Sequence, residues 1–582
     1  MDWDEISGLS YDVEGSWMDK LRWAFPQCFD DGELNVERLL SLCGVHIGKD
    51  SGFELRWQGK QESMKLAGKR SAGALRPCPE ESVEWDNTSN IYIEGDNLEA
   101  LKLLTKSYRG KVKMICIDPP YNTGNDFVYN DSFLEPLGKY LQSTRQTAKS
   151  NPETTGRFHV NWLNMMLPRL MVSAQLLRDD GIIFISIDET EMANLRKLCD
   201  EVFGERNHVA DFVWRNKKGG GNDAKHVAVE HEYVIMYAKS IDSLGRLFVP
   251  YSPEYLKRYK EEDENGRFFW DTLKRKSGKQ YYPIVCPDGT VLEKDEHGNP
   301  ISWLRSEARF KKDLASGEAR IEKVHDGWSV QFKQRLPEGK KPRTIFLEES
   351  IMLEKGTTSD GSAELLELFS RNVFNNPKPV ELIKHLLCFD TSGEDIVMDF
   401  FSGSATTAHA LMKLNSEDQG KRRFIMVQLP QECDEKTEAA KAGFANICEI
   451  GKERIRRAGQ KFKNVDTGFR VFKLDTSSFA GSGLLMPGRS ELDAAFEIML
   501  KLGFDLCESV RAIELDKGRK AYDIGGKVIA AFSKMTLDEI CRLADRKPET
   551  MVLSKPAFDC EEDEAKALKA LRARGIKLIC QS

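Results

Sequence analysis

"SNIYIEGDNLEALKLLTKSYRGKVKMICIDPPY", residues 89–121, is the stretch on which the fold turns. It opens on a short apolar strand pattern, passes through a Gly-Asp turn into a leucine-rich helical repeat, and closes on a second apolar run, Val112 to Ile117. That second run carries no helical stripe and is bounded by a turn signal, which reads as a buried strand. Pro119 and Pro120 have no backbone N–H to donate, so the ladder stops there and leaves Asp118 and Tyr121 at a stiff strand tip.

The same alternation continues downstream. A helical pattern spans 161–181, a strand 181–188, a helix runs through "NLRKLCDEVFG", and strands follow at "HVADFVWR" and "HEYVIMYAK". The rhythm breaks between about 240 and 370 and returns at "DIVMDFFSGSATTAHALMKL" (395–414) and "RFIMVQLP" (423–430). Alternating strands and helices of these lengths predict an α/β fold with a doubly wound, mostly parallel sheet. The expected segments are an N-terminal arm (1–85), two sheet-forming halves (86–240 and 371–465), an insertion between them (241–370) and a separable C-terminal α/β domain (470–582).

Composition narrows the class. At 582 residues, 40% of them hydrophobic and 30% charged, the chain suits a protein of several domains with true cores. It has no apolar run of about 18 residues, so no membrane span is expected. The opening "MDWDEISGLSYDVEG" lacks the basic start and apolar stretch of a signal peptide, and the 13 cysteines form no CxxC pair, so a reduced cytoplasmic protein without a metal site is expected. "HEYVI" is not HExxH, and His231 reads as a strand residue. The net charge of −7 disfavours bulk nucleic-acid affinity but leaves room for a local basic groove.

A second motif lies at "VMDFFSGSATTAHA": a strand, Asp399 at its end, a tight turn through Ser402, Gly403 and Ser404, and a helix opened by Thr406. Backbone N–H groups at such a turn can hold an anionic group, and glycine allows close approach of a ligand. No GxxxxGK[ST] occurs, so ATP hydrolysis is not expected of this chain. In doubly wound sheets ligands sit at the carboxyl ends of strands, where both motifs fall.

At these residues the chain resembles the amino-group DNA methyltransferases, whose tetrad reads (D/N/S)PPY, the Asp form being that of the adenine-N6 enzymes. Here the tetrad precedes the 399–404 turn across a long insertion, the permuted order of the β class. The blocks from Glu81 to Asp131, "GRFHVNWLNMMLPRL", "WRNKKGGGND", "NNPKPVELIKHLL" and "ELDAAFEIMLKLGFDL" are similar to modification (Mod) subunits of type III restriction–modification systems. The resemblance implies a Rossmann-like class I methyltransferase that takes its methyl group from S-adenosylmethionine and acts on adenine N6 in double-stranded DNA. It implies catalytic roles for Asp118, Pro119, Pro120 and Tyr121, and cofactor contacts from Asp96, Lys378, Pro379, Asp399, Phe400, Ser402, Gly403, Ser404, Thr406 and Gln428. Many methyltransferases carry an acid where Gln428 stands, so a ribose contact there would lack charge assistance. It further implies a homodimer, an ATP-dependent restriction subunit as partner, target recognition by the 241–370 insertion, and a dimerisation or docking role for 470–582.

The chemistry suits the tetrad. An exocyclic amine is a poor nucleophile because its lone pair spreads into the ring. Asp118 Oδ and the Pro119 carbonyl can each accept an N–H bond, draw the nitrogen towards tetrahedral geometry and aim its lone pair at a methyl group. Tyr121 can stack on a base flipped from the duplex. Basic clusters with aromatics, "LKRKSGKQYYP" (273–283), "WLRSEARFKK" (303–312) and "FKQRLPEGKKPR" (332–343), are the expected DNA-reading surface, with "RNKKGGGNDAKH" (215–226) a further basic loop. The rival readings are an orphan regulatory DNA methyltransferase, a methyltransferase of RNA or protein, and a non-catalytic DNA-recognition subunit.

Overall fold

The computed structural model describes residues 4–6, 13–24, 28–30, 33, 34, 36, 39, 55–123, 157–217, 219, 226–249, 251, 253–276, 279–324, 327–346, 356–480, 484–554, 558 and 561–581. Residues 124–131 of the tetrad block and most of 218–225 in the basic loop lie outside them. The chain forms two compact units, one of residues 1–246 and 343–582, the other of residues 247–342.

The first unit is built on a ten-stranded sheet. Its strands in chain order are β1 (Gly73–Pro77), β2 (Ile91–Glu94), β3 (Val112–Ile117), β4 (Leu177–Ile187), β5 (His208–Arg215), β6 (His231–Ala238), β7 (Ile345–Phe346), β8 (Ile396–Asp399), β9 (Arg423–Gln428) and β10 (Arg470–Thr476). Side by side they run β7-β5-β6-β4-β3-β8-β9-β2-β10-β1. From β4 to β10 every pairing is parallel, whereas β6 on one flank and β1 on the other are antiparallel to their inner neighbours. β3 is buried along its whole length, as a central parallel strand must be. Its one charge, Lys113, is satisfied by Asp390 at 2.6 Å and by the carbonyl and carboxylate of Asp180 at 2.8 and 3.0 Å.

The connections explain where a site can form. β2 reaches β3 through α1 (Asn97–Tyr108), and β3 reaches β4 through α2 (Arg157–Leu176); both steps go towards β6. β8 reaches β9 through α6 (Thr406–Asp418), and β9 reaches β10 through α7 (Ile447–Gly459); both steps go the other way. Right-handed crossovers that step in opposite directions leave their helices on opposite faces. Thus α1, α2 and α3 (Met192–Phe203) pack together, while α4 (Thr358–Phe369), α5 (Val380–Leu387), α6 and α7 form a second layer. The reversal falls between β3 and β8, the switch point at which such sheets bind ligands.

Several boundaries differ from the sequence expectation. The helix expected over 161–181 spans Arg157–Leu176, because Leu177 already pairs with Val112 and the chain passes directly into β4. β1, from the expected N-terminal arm, and β10, from the expected C-terminal domain, are both strands of the main sheet. The C-terminal sheet has six strands, in the order Asp4–Ile6, Lys577–Gln581, Thr550–Ser554, Val528–Ala531, Lys520–Ile524 and Val510–Glu514, so its edge comes from the other end of the chain. α8 (Glu491–Leu502) packs on β1, on α1 and on that second sheet, and one apolar core runs through them all.

The second unit, Leu247–Pro342, is narrower than the 241–370 expected for the insertion. It holds a four-stranded antiparallel sheet, a small hairpin and a helix, Glu307–Ala315, around Leu273, Ile284, Trp303, Phe310, Val330 and Phe332. Among the described residues no helix is long and apolar enough to cross a membrane.

Candidate active site

Because β3 and β8 are neighbours, with Met398 opposite Ile115, the residues that follow them emerge side by side. Asp118 and Asp399 line one cavity, together with Ser186, Phe374, Pro377, Lys378, Phe401, Ser402, Gly403, Ser404 and Thr406. Two motifs 281 positions apart in sequence thus share one wall at the switch point.

The turn after β8 is tightly specified. Asp399 accepts from Thr407 Oγ1 at 2.6 Å and from the Phe401 amide at 3.1 Å. Burial pushes its carboxyl up to about 7, against those hydrogen bonds and with help from the charge of Asp118. Gly403 has φ +49°, a conformation strained for a side chain, and a Cβ there would lie 3.2 Å from Phe374 Cζ, tighter than an ordinary contact, so backbone and space both favour glycine. Its N–H donates to Gln428 Oε1 at 2.7 Å, and Ala405 takes φ +61° at the start of α6. Under the turn lies Arg454, fully buried on α7, whose Nη1 donates to Ser404 Oγ at 2.8 Å and Thr406 Oγ1 at 2.7 Å. Burial lowers its pKa to about 10, with Glu364 opposing that loss.

The strand tip after β3 is held from three sides. Trp162, buried on α2, donates its indole N–H to the Pro120 carbonyl at 2.7 Å. Asn122, at φ +62°, donates to buried Glu191 at 2.5 Å; Glu191 also receives Asn194 at 2.7 Å and lies 2.7 Å from His159 Nδ1. Tyr121 donates its hydroxyl to Glu232 Oε2 at 3.0 Å. Burial, with the charges of Asp118 and Glu232, raises the Tyr121 pKa well above that of an ordinary phenol, so the hydroxyl stays protonated.

Lys378 closes the site. Its Nζ donates to Asp118 Oδ2 at 2.8 Å and lies 3.5 Å from Glu232 Oε2, over the rings of Tyr121 (4.8 Å) and Trp214 (5.7 Å). Burial works against its charge, but Asp118 and Glu232 outweigh it and hold its pKa above the ordinary lysine value. Asp118 Oδ1, by contrast, is buried and has no hydrogen-bond partner among the described residues. A buried carboxylate oxygen left open at a cavity wall is an acceptor awaiting a donor.

The residues expected at the cofactor fall into two groups. Lys378, Asp399, Ser402, Gly403, Ser404 and Thr406 line the cavity with Asp118. Asp96, Phe400, Pro379 and Gln428 are not among the residues that line it. Asp96 caps α1 through the Glu99 amide (3.1 Å) and pairs with buried Arg169 at 3.2 Å; the Phe400 carbonyl accepts from Asn97 at 2.7 Å; Pro379 is the N-cap of α5. Phe401 rather than Phe400 faces the cavity. Glu232, Trp162, Arg454 and Phe374 escaped the sequence reading. Glu232 and Trp162 lie within "HEYVIMYAK" and "GRFHVNWLNMMLPRL", but their contacts span 111 and 42 positions, and no local pattern marks those.

The chain is similar in sequence to known proteins. Residues 112–458 match the family model described as DNA methylase. The Mod subunit of the StyLTI type III restriction–modification enzyme of Salmonella typhimurium strain LT2 is 37% identical over 497 residues, covering 79% of this chain and 74% of the relative. The EcoP15I Mod subunit of Escherichia coli is 34% identical over 508 residues, covering 78% and 76%. Among solved structures, the M1.HpyAVI–SAM complex matches at 13% identity and a TM-score of 0.28, over 63% of this chain and 98% of that one. With the tetrad and the glycine turn on one cavity at the switch point of a mostly parallel sheet, and with relatives of this similarity, the chain belongs to the DNA methylase family, beside the Mod subunits of type III restriction–modification enzymes.

Proposed function

We propose that this protein is the modification subunit of a type III restriction–modification system and that its 118–121 tetrad methylates adenine N6 in DNA. The observation that carries the reading is Asp118 Oδ1, a buried acceptor without a partner among the described residues, in the same cavity as the Gly403 turn. S-adenosylmethionine, when bound, supplies an electrophilic methyl group on a sulfonium. The residues present fit it: the Gly403 turn is bare of side chain, the start of α6 faces the cavity at Thr406, and Asp399 offers a carboxyl poised to ionise near pH 7. Asp118 Oδ1 and the Pro119 carbonyl accept the N–H bonds of the target amine, Tyr121 stacks on the base, and Trp162 keeps the tip from yielding.

The second unit is assigned the reading of DNA. Its basic clusters divide into two sets. Arg275, Arg309, Lys333 and Arg335 are tied to acids at 2.5 to 2.9 Å, whereas Lys274, Lys276, Lys279, Lys340 and Lys341 are exposed, along with Tyr281. The exposed set suits phosphate contacts, and the tied set suits holding the small sheet together. The same reading carries a homodimer, an ATP-dependent restriction subunit as partner, and a cytoplasmic setting in which the described cysteines stay free thiols.

The test is methyl transfer from radiolabelled S-adenosylmethionine to mixed genomic DNA, with Asp118→Ala as control. Label on adenine that the variant loses by at least about 100-fold supports the reading. No label on DNA, with cofactor binding intact, sinks it.

A further inference from the structure

Glu232 belongs to neither the 118–121 tetrad nor the 399–406 turn; it stands on β6, opposite Trp214 of β5. Its carboxylate nevertheless reaches both the tip and the lysine that closes the site. Oε2 accepts the Tyr121 hydroxyl at 3.0 Å and lies 3.5 Å from Lys378 Nζ, while Oε1 accepts Asn216 Nδ2 at 2.7 Å. Lys378 at the same time donates to Asp118 Oδ2 at 2.8 Å, and its side chain is only 9% exposed against 14% for Glu232. One buried ammonium is therefore shared by two carboxylates, and the three groups sum to one negative charge.

That sum matters for amine methylation. The amine nitrogen forms its bond to the methyl carbon as the carbon–sulfur bond breaks and sulfur keeps the electron pair. The nitrogen, now cationic, then gives a proton to the Asp118 carboxylate, which releases it to solvent. An Asp118–Lys378 pair alone would be neutral and would offer the developing cation little. The second carboxylate restores the missing charge beside a buried ammonium, where screening is weaker than in open water.

We propose that Glu232 is a positioning residue for methyl transfer: it shares Lys378 with Asp118, leaves Asp118 Oδ1 open to the target amine, and supplies the surplus negative charge of the site. This rests on the reading of Asp118 as the acceptor of that amine. Glu232→Gln keeps an acceptor for the Tyr121 hydroxyl and removes only the charge. With that charge gone, Lys378 belongs wholly to Asp118.

The experiment compares wild type, Glu232→Gln, Lys378→Met and the double variant in the full chain. Single-turnover transfer to DNA and calorimetric S-adenosylmethionine binding are read for each, and acetic anhydride labelling of Lys378 is compared between the unliganded wild type and Glu232→Gln. The expected result is a loss of about 10- to 100-fold in the transfer rate of Glu232→Gln, with cofactor affinity within about twofold. Lys378 in Glu232→Gln should label several-fold faster at pH 9, since one carboxylate no longer holds its proton. In the double variant Asp118 alone restores the single negative charge, so it should outperform Glu232→Gln. Additive losses in the double variant, or wild-type rate and labelling in Glu232→Gln, overturn the proposal. Should the wild type transfer nothing to DNA, the adenine reading falls, and the labelling comparison alone decides whether Glu232 shares Lys378.

Discussion

At the scale of single residues, Asp399 and Trp162 show how the site sets chemistry by burial. Asp399 is raised from 3.8 to about 7, so it holds a proton in the fold that it would lose in the unfolded chain. The stability carried by that protonated form is fully present below about pH 4 and is lost as pH rises through about 7. Asp399→Asn stays neutral throughout. Its melting temperature without cofactor, relative to wild type, should therefore rise between pH 5.5 and 8, and a difference that does not change with pH would refute the raised carboxyl. Trp162→Phe strands the Pro120 carbonyl without its donor. A cost of about 1 kcal/mol at a half-buried acceptor should loosen the tip, slowing single-turnover transfer while leaving cofactor affinity as it was. Equal loss in both would place Trp162 at the cofactor instead.

Among the elements, α4 decides where Lys378 stands. The segment Pro377–Pro379 crosses α4 at Gly361, where an added Cβ would collide with the Pro377 carbonyl oxygen and approach the Lys378 carbonyl carbon at 3.1 Å. One turn later Glu364 receives the Val380 amide at 3.0 Å, capping α5, and lies 3.6 Å from Arg454 beneath the glycine turn. α4 thus locks the lysine segment and the cofactor turn into one frame. Gly361→Ala should destabilise the protein by about 1–3 kcal/mol, seen in chemical denaturation, and should cut transfer more than that loss of folded protein explains. Unchanged activity in the folded fraction would show that the segment shifts without moving Lys378. The sequence announced α4 as part of the insertion, because its helical pattern carries no mark of the surface it packs on.

For the whole molecule, the two units predict opposite responses to excision. The ends of the second unit pair with each other, the Val249 amide donating to the Lys340 carbonyl at 2.8 Å, so a short linker can replace the segment between them. Replacing 247–342 by a short linker should preserve cooperative unfolding and S-adenosylmethionine binding while abolishing sequence-specific methylation. Loss of cofactor binding would count against that division. Truncation at residue 469 should do the reverse of what a separable C-terminal domain implies. It removes β10 from between β2 and β1 and strips buried α8 from the common core, so no cooperative transition should remain. A folded, cofactor-binding 1–469 fragment would refute it.

What the sequence determined by itself was local in kind. The apolar run of β3 and the double proline that ends it, the glycine turn opening α6, and the alternation of strands and helices follow from burial, backbone donors and φ, properties of a residue and its near neighbours. Tertiary structure alone decided which strand tips became neighbours, and so set Lys378 on Asp118 across 260 positions and Glu232 on Tyr121 across 111. It also decided that β1 and β10 close the main sheet, that Asp96 pairs with Arg169, and that Gln428 accepts the Gly403 amide. An ion pair or a sheet edge made between distant segments needs only complementary groups at the meeting point. Such groups leave no period in the chain, so only the folded protein identifies them.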